Sequence, residues 1–242
     1  MPDAVKRINL WSGPRNVSTA LLYSFAQRSD TRVVDEPLYA HYLRVSGARH
    51  PGAGDVLAAQ DNNGKRVVRD LLLGPCDRPV LFLKQMAHHL VDLDLEFMRQ
   101  AVNVILIRDP AQMLPSLTNQ VPQPTLADTG LARQCELLEI FEGWGHNPPV
   151  IDSRELLLNP RSVLEQLCAE LPLEFQSGML AWPAGPKPYD GVWAPHWYQN
   201  VHRSTTFAPY KAKREPFPSA LKSLLAECSP FYERLLERAI HG

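Results

Sequence analysis

Four short stretches carry residue types and spacings suited to holding a phosphate-like or sulfate-like anion. In the first, Ser12-Gly13-Pro14-Arg15-Asn16-Val17-Ser18-Thr19, an apolar run stops, turns and restarts as a hydroxyl-rich helix opening. Such an opening leaves backbone N–H groups unpaired and carries partial positive charge, so it attracts anions. Arg15 adds a permanent cation, and Ser18 and Thr19 add hydroxyl donors. Asp35-Glu36, followed by Tyr39 and His41, offers carboxylates and an imidazole at a second strand end. Lys84, with His88 and His89 after it, offers a second cation and a histidine pair. Arg108-Asp109-Pro110, with Ser116 eight residues past the Arg, offers a third cation and a hydroxyl. The opening stretch is not a Walker A loop, because no Lys precedes Ser18-Thr19. Taken alone it also reads as an ordinary βα turn with Ser or Thr as helix cap.

The elements that must position these groups follow from hydrophobic pattern. Residues 5–11 predict a strand, 16–29 a helix, and Thr31 to Pro37 a short strand. Ser46 to Gly64 reads as a loop or lid with a short helix around Val56. Pro79 to Lys84 predicts a strand, Leu90 to Val102 a helix, and Asn103 to Pro110 a strand apolar on both faces. Helices over Leu131–Trp144 and Pro160–Leu171 flank a strand at Val150-Ile151-Asp152. Residues 178–215 have no clear periodicity and collect Trp182, Trp193, Trp197, Tyr189, Tyr198 and Tyr210, and a helix from about Ser219 to Ile240 follows. The alternation predicts one α/β domain over 1–242, a doubly wound, mostly parallel sheet flanked by helices. In such a sheet ligands bind beyond the carboxyl ends of the strands, where all four stretches fall.

Composition narrows the class. A net charge of −1 gives no general attraction for nucleic acid or an anionic membrane, so any anion site is local. No apolar run reaches membrane-spanning length, and Met1–Arg7 lacks the apolar stretch of a signal peptide. Cys76, Cys135, Cys168 and Cys228 show no CxxC pairing, so reduced, packing cysteines in a cytoplasmic protein are expected.

With these residues in view, the chain resembles the P-loop-like sulfotransferases that use 3′-phosphoadenosine 5′-phosphosulfate (PAPS). Ser12 to Thr19 is similar to their 5′-phosphosulfate loop, with Arg15 at the basic position. Ile107-Arg108-Asp109-Pro110 with Ser116 resembles their 3′-phosphate motif, and Glu36-Pro37-Leu38-Tyr39 resembles the Glu-Pro-Leu segment of carbohydrate-type and bacterial members. The resemblance covers roughly residues 5–120. It implies a P-loop NTPase-like sulfotransferase architecture, PAPS as co-substrate, no metal, and a small-molecule or carbohydrate acceptor. It implies that Ser12, Gly13, Pro14, Arg15, Asn16, Val17, Ser18 and Thr19 hold the phosphosulfate, and that Arg108 and Ser116 hold the 3′-phosphate. Lys84 would reach the bridging oxygen or sulfonate, and Glu36, then His41, then His88 would serve as general base. The sequence departs from the family at Val17, where many members have Gly, and at Met86, where cytosolic members carry a catalytic His. The late Arg-Lys-Gly loop is absent, and Arg203 within His202–Phe207 stands as its replacement. Two other readings stay open: a P-loop-type kinase or NTPase using Asp35 for magnesium, and a protein of the same fold that binds nucleotide without turnover.

Overall fold

The structure, a computed structural model, describes residues 5–212 and 215–242. Residues 1–4 of the N-terminal stretch and 213–214 of the aromatic stretch lie outside the described residues. Six strands form one all-parallel sheet: β1 (Lys6–Ser12), β2 (Thr31–Asp35), β3 (Val80–Met86), β4 (Val102–Ile107), β5 (Val150–Asp152) and β6 (Ala239–Ile240). Their spatial order is β2-β3-β1-β4-β5-β6. The apolar runs of β1, β3 and β4 occupy the centre and are buried on both faces, as parallel strands covered by helices must be.

Alternate strand residues feed two cores. Trp11, Leu81, Leu83, Ile105 and Ile107 face α5 (Pro110–Leu117), α7 (Leu131–Gly143) and α12 (Lys222–Leu236). Ile8, Leu10, Phe82, Val104 and Leu106 face α1 (Ser18–Phe25) and α9 (Pro160–Glu170), numbered here by their place along the chain. Between these lie α2 (Tyr39–Ser46), α3 (Ala53–Ala59), α4 (Gly64–Val67), α6 (Leu126–Thr129), α8 (Ser153–Leu158), α10 (Ala194–Trp197) and α11 (Gln199–His202). A third, smaller core joins α2 and α3 to Trp193, Ala194 and Tyr198 of the late aromatic stretch.

Two expectations are corrected. The helix predicted over Leu90 to Val102 is instead a broken segment, with 3-10 turns at Ala87–His89 and Glu96–Gln100. Asp92 adopts a positive φ of 48°, and the Asp94 side chain accepts from Glu96 N at 3.0 Å, so local aspartate bonds replace the helical ladder. The helix expected from about Ser219 to Ile240 ends earlier, and Ala239–Ile240 pairs with β5 as an edge strand. No helix of the described residues is long and apolar enough to cross a membrane. None of the four cysteines is in a disulfide; Cys135, Cys168 and Cys228 are buried in the cores.

Candidate active site

A cavity of about 280 Å³ opens beyond the carboxyl ends of β1, β2, β3 and β4. One end is built where the β1–β4 ladder stops. Gln134 from α7 donates to Trp11 O (2.9 Å) and Leu106 O (2.8 Å), and Asn16 also donates to Leu106 O (3.0 Å). Side chains thus take over these carbonyls where the strands part. Gly13 is required here by crowding: a Cβ would lie 2.5 Å from the Thr129 carbonyl oxygen. No side chain caps α1, whose Ser18, Thr19 and Ala20 line the cavity, so its first-turn N–H groups remain available.

Two guanidinium groups enter this end. Arg15 holds a left-handed φ of 54°, a conformation costly for a non-glycine residue. Arg108 Nη1 donates to its carbonyl at 2.6 Å, and its own Nε donates to Ser116 Oγ at 2.9 Å. Burial lowers the pKa of both, and for Arg108 the charge of Arg15 lowers it further. Among the described residues neither has a carboxylate within ion-pair distance. Two partly desolvated cations thus stand against an uncapped helix start, an arrangement that favours negative charge.

The facing end is paired throughout. Lys84 Nζ donates to Asp35 Oδ1 (2.9 Å), Glu36 Oε1 (2.6 Å) and Tyr198 OH (2.6 Å), which uses all three of its protons. Tyr198 OH donates to Asp35 Oδ2 at 2.7 Å and accepts from Trp193 Nε1 at 3.0 Å. Burial depresses the Lys84 pKa, but the charges of Asp35 and Glu36 outweigh it and raise the group above the ordinary lysine range. Burial raises the Glu36 carboxyl, the Lys84 charge pulls it back, and Asp35 pushes it up again. Glu36 also sits at φ 39°, held by Lys84 O accepting from its N–H (2.8 Å) and by Gln60 Nε2 donating to its carbonyl (3.2 Å). Arg15 and Glu36, two of the four non-glycine residues with positive φ among the described residues, both line the cavity.

Between the ends runs an aromatic side. Tyr39 and Tyr42 stack on His89 at 4.8 and 4.6 Å between ring centres, Trp193 meets Tyr39 edge-on at 5.2 Å, and Trp197 meets His50 at 6.0 Å. Burial and the neighbouring His50 push His88 down to about 4, and His89 lies well below the usual histidine range for the same first cause.

Of the sequence-derived candidates, Gly13 to Thr19, Glu36, Lys84, His88 and Arg108 line the cavity together. Four do not. Ser12 is buried and donates to Gly13 O, and Ser116 holds Arg15 from behind. His41 faces away on α2, with Nε2 on Val91 O (2.8 Å) and Nδ1 accepting from Gly64 N (3.2 Å), so it is a structural residue. Arg203 is exposed and outside the lining, while its neighbour His202 pairs with Asp190 at 2.9 Å. Lys84 cannot donate to a further oxygen without releasing one of its three partners. Asp109 caps α5 by accepting from Ala111 N at 2.7 Å, as a turn-forming residue. Sequence reasoning passed over His50 and Asp128, and gave Tyr198 no bond to the base. The only signal for Tyr198 was an aromatic cluster in a stretch without periodicity, and His50 and Asp128, outside that stretch, had none.

Residues 6–239 match the family model described as a sulfotransferase domain. The chain is 40% identical over 236 residues to "Branched-chain-amino-acid aminotransferase-like protein 1" of Arabidopsis thaliana, matching 97% of this chain but spanning only 42% of that protein. Its fold is similar to the sulfotransferase domain of the Synechococcus PCC 7002 olefin synthase, with TM-score 0.56, 17% identity, and coverage of 94% of this chain and 97% of that one. It is also similar to the sulfotransferase domain of the curacin biosynthetic pathway, with TM-score 0.57, 15% identity, and coverage of 93% and 98%.

Proposed function

The chain belongs to the sulfotransferase-domain family, and from that premise we propose that it moves the sulfuryl group of PAPS to a hydroxyl or amine of an acceptor. The observation that carries the reading is the convergence of Arg15, Arg108 and the uncapped α1 start on one cavity, with no carboxylate among the described residues neutralising either cation.

Sulfuryl transfer, like phosphoryl transfer, asks the protein mainly for positioning and charge stabilisation. The acceptor oxygen or nitrogen forms a bond to sulfur while the bond from sulfur to the 5′-phosphate oxygen breaks, leaving 3′,5′-ADP. Arg15, the α1 amides and the Ser18 and Thr19 hydroxyls would hold the phosphosulfate. Arg108 would hold the 3′-phosphate, and Ser116 would act through Arg15, which it fixes. Glu36 would take the acceptor's proton: its carboxyl is raised by burial, and a base works best with a pKa near the working pH. In this role Lys84 is the counter-ion that keeps Glu36 ionised, and it would touch the bridging oxygen only on exchanging a carboxylate for it.

Calorimetric titration of the full chain with 3′,5′-ADP, 5′-AMP and Mg-ATP tests the reading. We expect 3′,5′-ADP to bind at least about tenfold more tightly than either of the others, the worth of roughly one charge-assisted hydrogen bond. Equal affinity for 3′,5′-ADP and 5′-AMP would remove the 3′-phosphate site, and preference for Mg-ATP would favour a kinase.

A further inference from the structure

We propose that the aromatic side of the cavity, formed by Tyr39, His50, His88, His89, Trp193 and Trp197, is the acceptor subsite and takes an uncharged hydroxyl compound built on a flat ring. The inference rests on the sulfuryl-transfer reading and adds the chemical class of its acceptor.

Charge in the cavity is segregated. The unpaired cations, Arg15 and Arg108, lie at the anion end, and Lys84 is neutralised by Asp35 and Glu36. The aromatic side contributes no cation of its own. His88 Nδ1 and His89 Nδ1 are buried with no hydrogen-bond partner among the described residues, so a second ring proton would be stranded there without an acceptor. Burial disfavours the imidazolium in both rings as well. His50 is committed through Nδ1 to Tyr39 OH at 2.9 Å, and its pKa is also lowered by burial. The charged groups that act on these two rings are Asp128 on His88 and Lys84 on His89, and Lys84 is already paired with Asp35 and Glu36. A carboxylated or phosphorylated acceptor would be desolvated beside carboxylates and find on this side no cation free of a partner among the described residues.

What this side does offer is ring surface, from the partly exposed His50, His88 and Trp197 backed by the buried Tyr39, His89 and Trp193. His89 is clamped between the planes of Tyr39 and Tyr42, with interplanar angles of 6° and 22°, which fixes its position without hydrogen bonds. Trp193 is tied by its Nε1 to Tyr198, and Trp197 follows it on α10, so the same stretch that braces the base also supplies the indoles. Rings held rigidly in this way bind flat apolar surface at little entropic cost. A hydroxyl projecting from such a ring toward Glu36 would be the reacting oxygen.

The test uses the full chain with and without saturating 3′,5′-ADP, and three probes: 2-naphthol, 6-hydroxy-2-naphthoate and glucose. Tryptophan fluorescence gives affinity, and ring nitrogen shifts of His88 and His89 report location. We expect 2-naphthol to bind at least about tenfold more tightly than its carboxylated relative and to move both histidine signals. Trp197→Ala should weaken naphthol about tenfold while 3′,5′-ADP affinity stays within about twofold. Should that variant fold poorly, the wild-type histidine shifts decide alone. Equal binding of the naphthoate, binding of glucose but not naphthol, or naphthol binding without histidine shifts would overturn the subsite. If naphthol behaves as expected and 3′,5′-ADP fails to bind, the donor reading falls; if only naphthol fails, the acceptor inference falls.

Discussion

The two ends of the cavity handle positive charge in opposite ways. At the β1–β4 end, Arg15 and Arg108 are held by a backbone carbonyl and a serine hydroxyl, with no carboxylate in reach among the described residues. At the β2–β3 end, Lys84 is almost fully buried and grips Asp35, Glu36 and a phenol at once. A buried cation left unpaired is a debt that an incoming anion settles, whereas a cation already paired stabilises the fold and sets the ionisation of its partners. Under the proposed function the first arrangement serves binding and the second is a base with its counter-ion. The contrast predicts that substitutions at the two ends act on different observables.

Lys84→Met breaks the comparison hardest. Removing the cation leaves two carboxylates buried side by side, and loss of one partner from a buried pair costs about 3–5 kcal/mol. Urea unfolding of wild type and variant at neutral pH measures it; a loss under about 1 kcal/mol would mean that the network does not keep both carboxylates ionised. Arg108→Ala sharpens the contrast by doing the reverse. It should weaken 3′,5′-ADP binding by about a hundredfold, in line with about 1.5–3 kcal/mol for each hydrogen bond to a charged group, while urea stability stays the same or rises because an unpaired desolvated charge is gone. Calorimetry and unfolding on the same sample separate the two effects, and a stability loss comparable to that of Lys84→Met would erase the distinction between the ends.

The aromatic side between them is the acid-sensitive part. Unfolded histidines take up protons near pH 6.5, while His88 stays neutral down to about 4 in the fold. The unfolded state therefore binds more protons across that window, so this contribution to stability is complete above pH 6.5 and is lost as pH falls. About 2 kcal/mol should disappear between pH 7 and pH 5 from His88 alone. Glu36 works against the trend, because its raised pKa lets the fold bind a proton before the unfolded chain does. Unfolding at pH 7 and 5 in wild type and His88→Asn checks the slope; an unchanged slope in the variant would show that His88 is protonated in the fold.

How far this could be read from sequence differs between the same two ends. The anion end was legible because local rules write it: an apolar run, a Ser-Gly-Pro turn and a hydroxyl-rich helix start lie within a dozen residues, and the Arg108-Asp109-Pro110 turn repeats the logic on the next strand. The sheet was legible for the same reason, since strands apolar on both faces admit few architectures. The base end was legible only as residues. That Glu36 and Lys84 are neighbours follows from β2 and β3 being paired with Asp35 opposite Lys84, but the phenol that completes the set comes from Tyr198, far along a stretch with no periodicity. His41 stood after Glu36 as a candidate base, but on α2 it turns toward Val91 while Tyr39 lines the cavity. The Leu90–Val102 helix failed because Asp92 and Asp94 satisfy the backbone locally where apolar spacing suggested a helical ladder.

The finest test lies in Tyr198 itself, which ties the late aromatic stretch to the base. Its hydroxyl lowers the Glu36 pKa beside it, donates to Asp35 and accepts from Lys84 and Trp193. In Tyr198→Phe the carboxyl loses that support and should titrate at higher pH. The phenyl ring keeps the packing, so the shift isolates the hydroxyl. Carbon-13 shifts of the Glu36 carboxyl follow the titration directly and need no acceptor. Stability should fall as well, since Trp193 Nε1 is left buried without its acceptor, and Tyr198→Phe combined with Trp193→Phe should recover part of that loss without restoring the Glu36 titration. Recovery of stability without recovery of the pKa would separate the stretch's role as a packed wall from its role in tuning the base. A Glu36 titration unmoved by either variant would leave Lys84 and Asp35 alone in control of that carboxyl, and the two ends would then be independent of the region that joins them.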